Sequence, residues 1–437
     1  MACQRDQWYL DVMRRETRPA LGCTEPAAAA LCCAAAALQL DGNPVEKLTV
    51  TVSEYIFKNA MNVGIPRIGE SGLPIACAMG AISARPEQAL MVLDSISEEE
   101  AELARAFAKS GAISISIGGK AKIYVHALAE GKGHTGEAEI CGDHTNITLL
   151  RRDGKLVLDA PWEETHAAPQ QENEDSTALT VRDIYQFARE VPVEKLFFLR
   201  ELVEMNEAIA LEGLTQNYGL RVGKTMSEQA IEGMMSADIA NYAIALTTAG
   251  ADARMAGCDV PVMSVAGSGN QGLTATMPVI AVAHKRNSSE EEMLRALALS
   301  ILVTVHTKRF IGRLSVLCGC SISAAIGAVG GVVLLFGGSS EQVALGVKTL
   351  TADIAGVVCD GAKPGCALKI ATAVSAAMRS AMLALADIGA TDRDGIVDQD
   401  VEQTLANLGT LGNEGMRGAN QAVLAMMLGK AQGHCPS

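Results

Sequence analysis

The chain has 437 residues, twelve cysteines, 49% apolar and 3% aromatic residues, and a formal net charge of −14. That length and apolar fraction supply two or three domains with sizeable cores. The acidic balance, with no dense run of lysine or arginine, excludes a nucleic-acid footprint; the scarcity of rings argues against sugar- or base-stacking sites; and the thiols are too sparse for a disulfide-stapled secreted domain.

In chain order, Met1 to Arg18 is mixed and charged rather than basic then apolar, so no secretory leader is expected and a reduced, cytoplasmic chain is. LGCTEPAAAALCCAAAALQL (Leu21 to Leu40) predicts a helix capped at Thr24 or Glu25, with Pro26 in its first turn. Cys23 then sits at a helix start, where unpaired amides and the positive dipole end stabilise a thiolate, making it a candidate nucleophile, base or ligand. Cys32 and Cys33, inside an alanine run, read as packing residues.

From Leu48 to about Leu158 the apolar period is mostly two. Leu48 to Ser53, Ala112 to Gly118 and Lys122 to Leu128 read as strands, and Arg151 to Leu158 as a hairpin turning at Asp153-Gly154. Ser97 to Ser110 reads as an amphipathic helix with Ser97 as its cap. GDHTNI (Gly142 to Ile147) places His144, Thr145 and Asn146 in a loop just before a strand.

HAAPQQENEDSTA (His166 to Ala178) is polar and reads as a linker. The expected organisation is an α+β domain over residues 1–165, then an all-α domain of packed Ala/Gly-rich helices over residues 179–437. Thr180 to Val191, Pro192 to Leu214, Ser227 to Ala249, Glu290 to Val305, Gln342 to Val358 and Ile370 to Ile388 all carry helical patterns, and no convincing strand follows the linker. Leu314 to Ser340 has no charged residue, but its six glycines favour core helices over a membrane span.

Two segments of the second half carry chemistry. AGSGNQGLTATMPV (Ala266 to Val279) is a glycine-rich loop whose Ser268, Asn270, Gln271, Thr274 and Thr276 suit a small carboxylate or phosphate, or else a turn with structural hydrogen bonds; it is neither a Walker loop nor a dinucleotide fingerprint. VVCDGAKPGCALK (Val357 to Lys369) spaces Cys359 and Cys366 seven apart around Gly361, Pro364 and Gly365, with Cys318 and Cys320 some forty residues upstream. Seven is not a common zinc spacing, whereas iron–sulfur clusters accept irregular spacing and soft thiolates.

LGCTEP, DARMAG (Asp252 to Gly257), GSGNQGLTATMPV, RLSVLCG (Arg313 to Gly319) and VVCDGAKPGCALK, in this order, resemble the L-cysteine desulfidase family, which is related to the α-subunit of the iron–sulfur L-serine dehydratases. The resemblance runs over nearly the whole chain. It implies a serine-dehydratase-like fold and a carbon–sulfur lyase that converts L-cysteine to pyruvate, ammonia and hydrogen sulfide without pyridoxal phosphate. The implied cofactor is a 4Fe–4S cluster on Cys359, Cys366 and Cys318, with Cys320 the alternative third ligand.

Cys23 is then the catalytic base, Ser268, Gly269, Asn270, Gln271 and Gly272 hold the substrate carboxylate, and Thr145 and Asn146 close the site from the first domain. The alternatives are L-serine dehydration and a non-catalytic metal-binding relative. Arg67 and Glu70, in KNAMNVGIPRIGESGLP (Lys58 to Pro74), depart from the family's pattern and bear on substrate preference. The partner expected is a small amino acid, with no nucleic acid and no membrane; the composition permits a homodimer.

Overall fold

The computed structural model describes residues 2–94, 96–162, 179–312 and 314–433. The expected linker, His166 to Ala178, lies outside the described residues. The fold is mixed: a sheet and its helices in the N-terminal region, and packed helices in the C-terminal part, as the sequence predicts.

The chain opens with α1 (Ala2–Glu16) and the short β1 (Thr17–Ala20). Next come α2 (Thr24–Leu38), β2 (Lys47–Val52), α3 (Glu54–Ala60), α4 (Leu73–Ser83), α5 (Glu98–Lys109), and strands β3 (Ile113–Ile117), β4 (Tyr124–Gly131), β5 (His134–Cys141), β6 (Ile147–Arg152) and β7 (Lys155–Asp159). The sheet order is β3-β2-β4-β5-β6-β7, antiparallel except for β2 with β3. Alternate residues of β4 are buried, so one face of the sheet is the core face. On that face lies α2, nearly all of whose residues are buried between the sheet and α4. Its alanines permit the close crossing: a Cβ on Gly80 of α4 would stand 2.0 Å from the Ala30 carbonyl oxygen.

The helical part comprises α6 (Val181–Glu190), α7 (Leu199–Thr215), α8 (Val222–Glu232), α9 (Ile239–Met255), β8 (Val262–Val265), α10 (Gly269–Arg286), α11 (Glu290–Ile311), α12 (Ser323–Leu335), α13 (Ser340–Ile354), α14 (Cys366–Leu385), α15 (Val401–Thr410) and α16 (Arg417–Gly433). Gly327 and Gly331 bring α12 against α11 and α10: a Cβ on Gly327 would meet Thr304 Oγ1 at 2.1 Å, and one on Gly331 would meet Val279 at 2.6 Å. Leu314 to Ser340 thus contributes a buried core helix. One helix among the described residues, α14, has the length and mean hydropathy of a membrane span, and it packs against α9, α12 and α13.

Three expectations are corrected. A strand does follow the linker: β8 pairs antiparallel with β1, and the four residues are too few to display a period. Ser227 to Ala249 is two helices, because Gly233 turns left-handed at φ +84° and Asp238 caps a fresh start. The α1 residues Tyr9, Leu10 and Met13 belong to the helical core, so the chain begins there, crosses to the sheet and returns. The two cores meet around Met255 and Cys366, which pack with the sheet-side residues.

Candidate active site

Where the cores meet lies a cavity with about 790 Å³ of empty space, counting its open mouth. The sheet side supplies Cys23, Glu25, Asn59 and His144. The helical side supplies Arg254, Ser268, Asn270, Gln271, Lys308, Cys318, Cys320, Cys359, Cys366 and Lys369.

Cys23 is the N-cap residue of α2, one position before the expected cap, and its side chain makes no capping hydrogen bond. Its thiol instead donates to Glu25 Oε2 at 3.0 Å. Burial, then the Glu25 charge, pushes the Cys23 pKa well above an ordinary thiol, with Arg254 opposing. The thiolate expected at a helix start is therefore a protonated thiol: desolvation and a neighbouring anion outweigh the dipole. Glu25 is the ionised partner. Burial works to raise its pKa, but His144, the Cys23 thiol and the Asn59 amide together hold it below the usual glutamate value. Thr24 Oγ1 and Asn59 Nδ2 donate to its two oxygens at 3.0 and 2.9 Å.

The four downstream cysteines are brought together by backbone pairing. Cys318 N donates to the Val357 carbonyl at 2.8 Å and Cys359 N to the Val316 carbonyl at 2.7 Å, so two segments some forty residues apart run as a short ladder. Gly361 turns left-handed at φ +91° against the Lys58 carbonyl, where a Cβ would stand 2.3 Å away, and returns the chain to Cys366 at the start of α14. Cys318 and Cys320 sulfurs lie 3.4 Å apart. The Cys320 thiol, against burial and with help from Ser321, brings Cys318 down to about 6, while Cys320 itself is pushed up.

Among the described residues no three His, Cys, Asp or Glu side chains converge tightly enough to hold a single metal ion. The donor set fits a larger, softer group: four thiols at one cavity wall, with the ammonium groups of Lys58 and Lys369 beside them to balance thiolate charge. Lys369 donates to the Val358 carbonyl at 2.7 Å and pairs with Asp360.

The glycine-rich segment is a strand–turn–helix. Ala266 and Gly267, at φ +49° and +81°, turn the chain out of β8 into α10, and the helix folds back so closely that a Cβ on Gly272 would stand 2.0 Å from the Met263 oxygen. Ser268, Asn270 and Gln271 line the cavity; Gly269 sits against the Arg254 guanidinium. Gly272 and Thr276 face the protein instead, Thr276 bonding the Gly272 carbonyl and Asn206.

The 145–146 pair is not in the cavity wall. Thr145 and Asn146 are exposed and bond Asp143 and the Cys141 carbonyl, whereas His144 is buried and lines the site. Arg67 is also outside, paired with Asp94 and Asp259 at the surface, and Glu70 meets Lys109 and Arg105.

Residues 87–425 match the family model described as serine dehydratase alpha chain. The chain belongs to the serine dehydratase alpha-chain family. It is also similar over nearly its whole length to UPF0597 proteins: 43% identical to one from Oleidesulfovibrio alaskensis, over 98% of this chain and 99% of that one; 40% identical to one from Bacteroides thetaiotaomicron (96% and 97%); and 38% identical to one from Clostridioides difficile (96% and 98%). The serine dehydratase match spans Arg254, the start of α10 and the four downstream cysteines, and begins after Cys23, Glu25 and Asn59.

Proposed function

We propose that the chain is an iron–sulfur-dependent, pyridoxal-free β-elimination lyase that converts L-cysteine to pyruvate, ammonia and hydrogen sulfide. The observation that carries this reading is the hydrogen-bonded Cys23–Glu25 pair opening onto the same cavity as Cys318, Cys359 and Cys366. In this reading those three cysteines hold a 4Fe–4S cluster, Cys320 being the alternative to Cys318. When bound, such a cluster supplies a Lewis acid to the departing sulfur.

The chain's own residues do the rest. Ser268, Asn270 and Gln271 orient the amino acid at the start of α10. Cys23 passes its proton to Glu25 and, as thiolate, takes the proton from Cα; its raised pKa makes it a strong base once formed. The Cβ–S bond breaks with its electron pair leaving on sulfur, the departing sulfide takes the proton held by Glu25 and so restores the carboxylate, and the resulting aminoacrylate takes up water to give pyruvate and ammonium. Cysteine and one water thereby account for all products, and no oxidant or reductant enters.

The serine dehydratase match favours a second reading, in which L-serine loses hydroxide from the same site. Anaerobic reconstitution with iron and sulfide, followed by parallel pyruvate assays on L-cysteine and L-serine, tests both. Faster iron-dependent turnover of cysteine is expected; iron-dependent pyruvate from serine alone selects the second reading, and none from either overturns the lyase assignment.

A further inference from the structure

Arg254 stands at the inner end of α9, 2% exposed, and among the described residues its Nε and Nη2 meet no hydrogen-bond partner. A guanidinium stays charged at any physiological pH, and burying one without an anion costs several kcal/mol. The group lines the cavity, close enough to Cys23 to act on its charge.

A second feature points to the same place. The first turn of α10 is directed at the cavity, and its N-cap residue Ser268 contributes no side-chain cap. An 18-residue helix therefore presents its positive end beside the unpaired guanidinium. Gly269 makes room for this, since any Cβ there would stand 2.4 Å from Arg254 Nε. Two acceptors complete the wall: Asn270 Oδ1 and Gln271 Oε1 are buried and likewise without partners among the described residues. Donors for an anion and acceptors for a cation thus share one wall, the pattern of a zwitterion.

We infer that Arg254, with the start of α10, is the carboxylate subsite of this cavity, and that Asn270 and Gln271 take the α-ammonium, so that the protein selects free α-amino acids over their amides, esters and decarboxylated amines. The identity of the ligand as an amino acid rests on the lyase reading; the need for a free carboxylate rests on Arg254.

L-Alanine and L-alaninamide provide the test, because neither carries a β leaving group and binding is read without turnover. By calorimetry on the anaerobically reconstituted protein, L-alanine binds and L-alaninamide binds roughly a hundredfold more weakly, the loss of a paired, charge-assisted contact. In Arg254→Gln the affinity for L-alanine falls roughly a hundredfold and the preference for it over the amide disappears, while iron content and cluster absorbance match the wild type. Arg254→Lys, which keeps the charge but not the fork, retains part of the affinity and serves where the glutamine variant fails to fold.

No binding of L-alanine by the wild type, equal affinity for the amide, or full affinity in Arg254→Gln overturns the assignment. Discriminating, Arg254-dependent binding without pyruvate formation from cysteine or serine sinks the lyase reading alone and leaves the subsite standing.

Discussion

Lys58 of α3 donates to the backbone carbonyl of Cys359 at 3.1 Å, joining the sheet side to the cysteine loop across 301 positions. The same ammonium donates to Asn420 Oδ1 of α16 at 2.7 Å and is 1% exposed. Burial pulls its pKa down, and the Cys359, Asp360, Glu25 and Cys318 charges pull against that. Lys58→Met leaves an acceptor on each side unpaired, and the expected cost is about 2–4 kcal/mol of unfolding free energy, read by urea titration. It also removes positive charge from the thiolate wall, so the reconstituted variant is expected to lose iron faster on gel filtration. Wild-type iron retention in a folded Lys58→Met protein would rule out the charge-balancing role.

Cys23 and Glu25 act in the proposed reaction as one proton-moving pair, so removing either member has the same kind of effect. Cys23→Ala and Glu25→Gln are each expected to lower kcat by about 10²–10⁴ with cluster absorbance unchanged. Because the Glu25 carboxyl is held below the usual glutamate value, it contributes no acid limb to kcat between pH 5 and 7. If Glu25→Gln turns over at the wild-type rate, the relay through the carboxylate is wrong and Cys23 acts without it.

The part of this site that was legible in the sequence is the part built from local rules. Glycines and a proline between Cys359 and Cys366 announce a turn, and Asp153-Gly154 closes the β6–β7 hairpin with both residues at positive φ. What escaped depends on distant partners. Glu25 follows Cys23 by two positions, but its ionisation is decided by Asn59 and His144 arriving from α3 and a strand-edge loop. Arg254 did leave a signal: it is the one arginine in Ile239–Met255, an otherwise nearly uncharged buried helix, where a lone cation calls for an anion. Of the 144–146 loop it is His144 that lines the cavity while Thr145 and Asn146 stay outside its wall, because which residue of a short loop turns inward is fixed by packing, not by local pattern.

Gly269 tests the carboxylate subsite from its other side. A methyl group there would stand 2.4 Å from Arg254 Nε and 2.5 Å from Val262 Cγ1, and the guanidinium, at the end of a long flexible side chain, is the part most able to move. Gly269→Ala is expected to raise KM for the amino acid about tenfold or more while kcat changes less, since the displaced arginine binds the non-reacting end of the substrate. A fall confined to kcat would place Arg254 in the chemistry instead.

Two glycines predict opposite effects on stability. Gly80 crosses α2 with a would-be Cβ 2.0 Å from the Ala30 carbonyl oxygen, a backbone atom held within a helix, so Gly80→Ala is expected to cost about 1–3 kcal/mol. Gly429 lies in α16 with nothing within 4 Å of its would-be Cβ, and Gly429→Ala is expected to gain about 0.5–1 kcal/mol through helix propensity. Paired thermal melts decide both, and a destabilised Gly429→Ala would mean that this face of α16 is covered by another surface.

Asp252 gives the fold a pH dependence of defined sign. The residue is fully buried; Oδ2 accepts from Gly223 N at 3.2 Å at the start of α8, while Oδ1 has no partner among the described residues. Burial raises its pKa from 3.8 to about 6, against the lowering effect of the Gly223, Val222 and Leu220 amides. For an acid whose folded pKa lies above its unfolded one, the native state holds a proton that the unfolded chain has already lost. The corresponding stability is complete below about pH 4 and is lost as pH rises toward 6. A rise of about two pH units amounts to roughly 3 kcal/mol. In Asp252→Asn the amide oxygen keeps the Gly223 contact without a charge, so the variant is expected to gain on the wild type by up to that amount between pH 4 and pH 6.5 in urea titrations. A wild-type-to-variant difference that stays constant across that interval would show that Asp252 is ionised throughout, with its second oxygen paired to a donor.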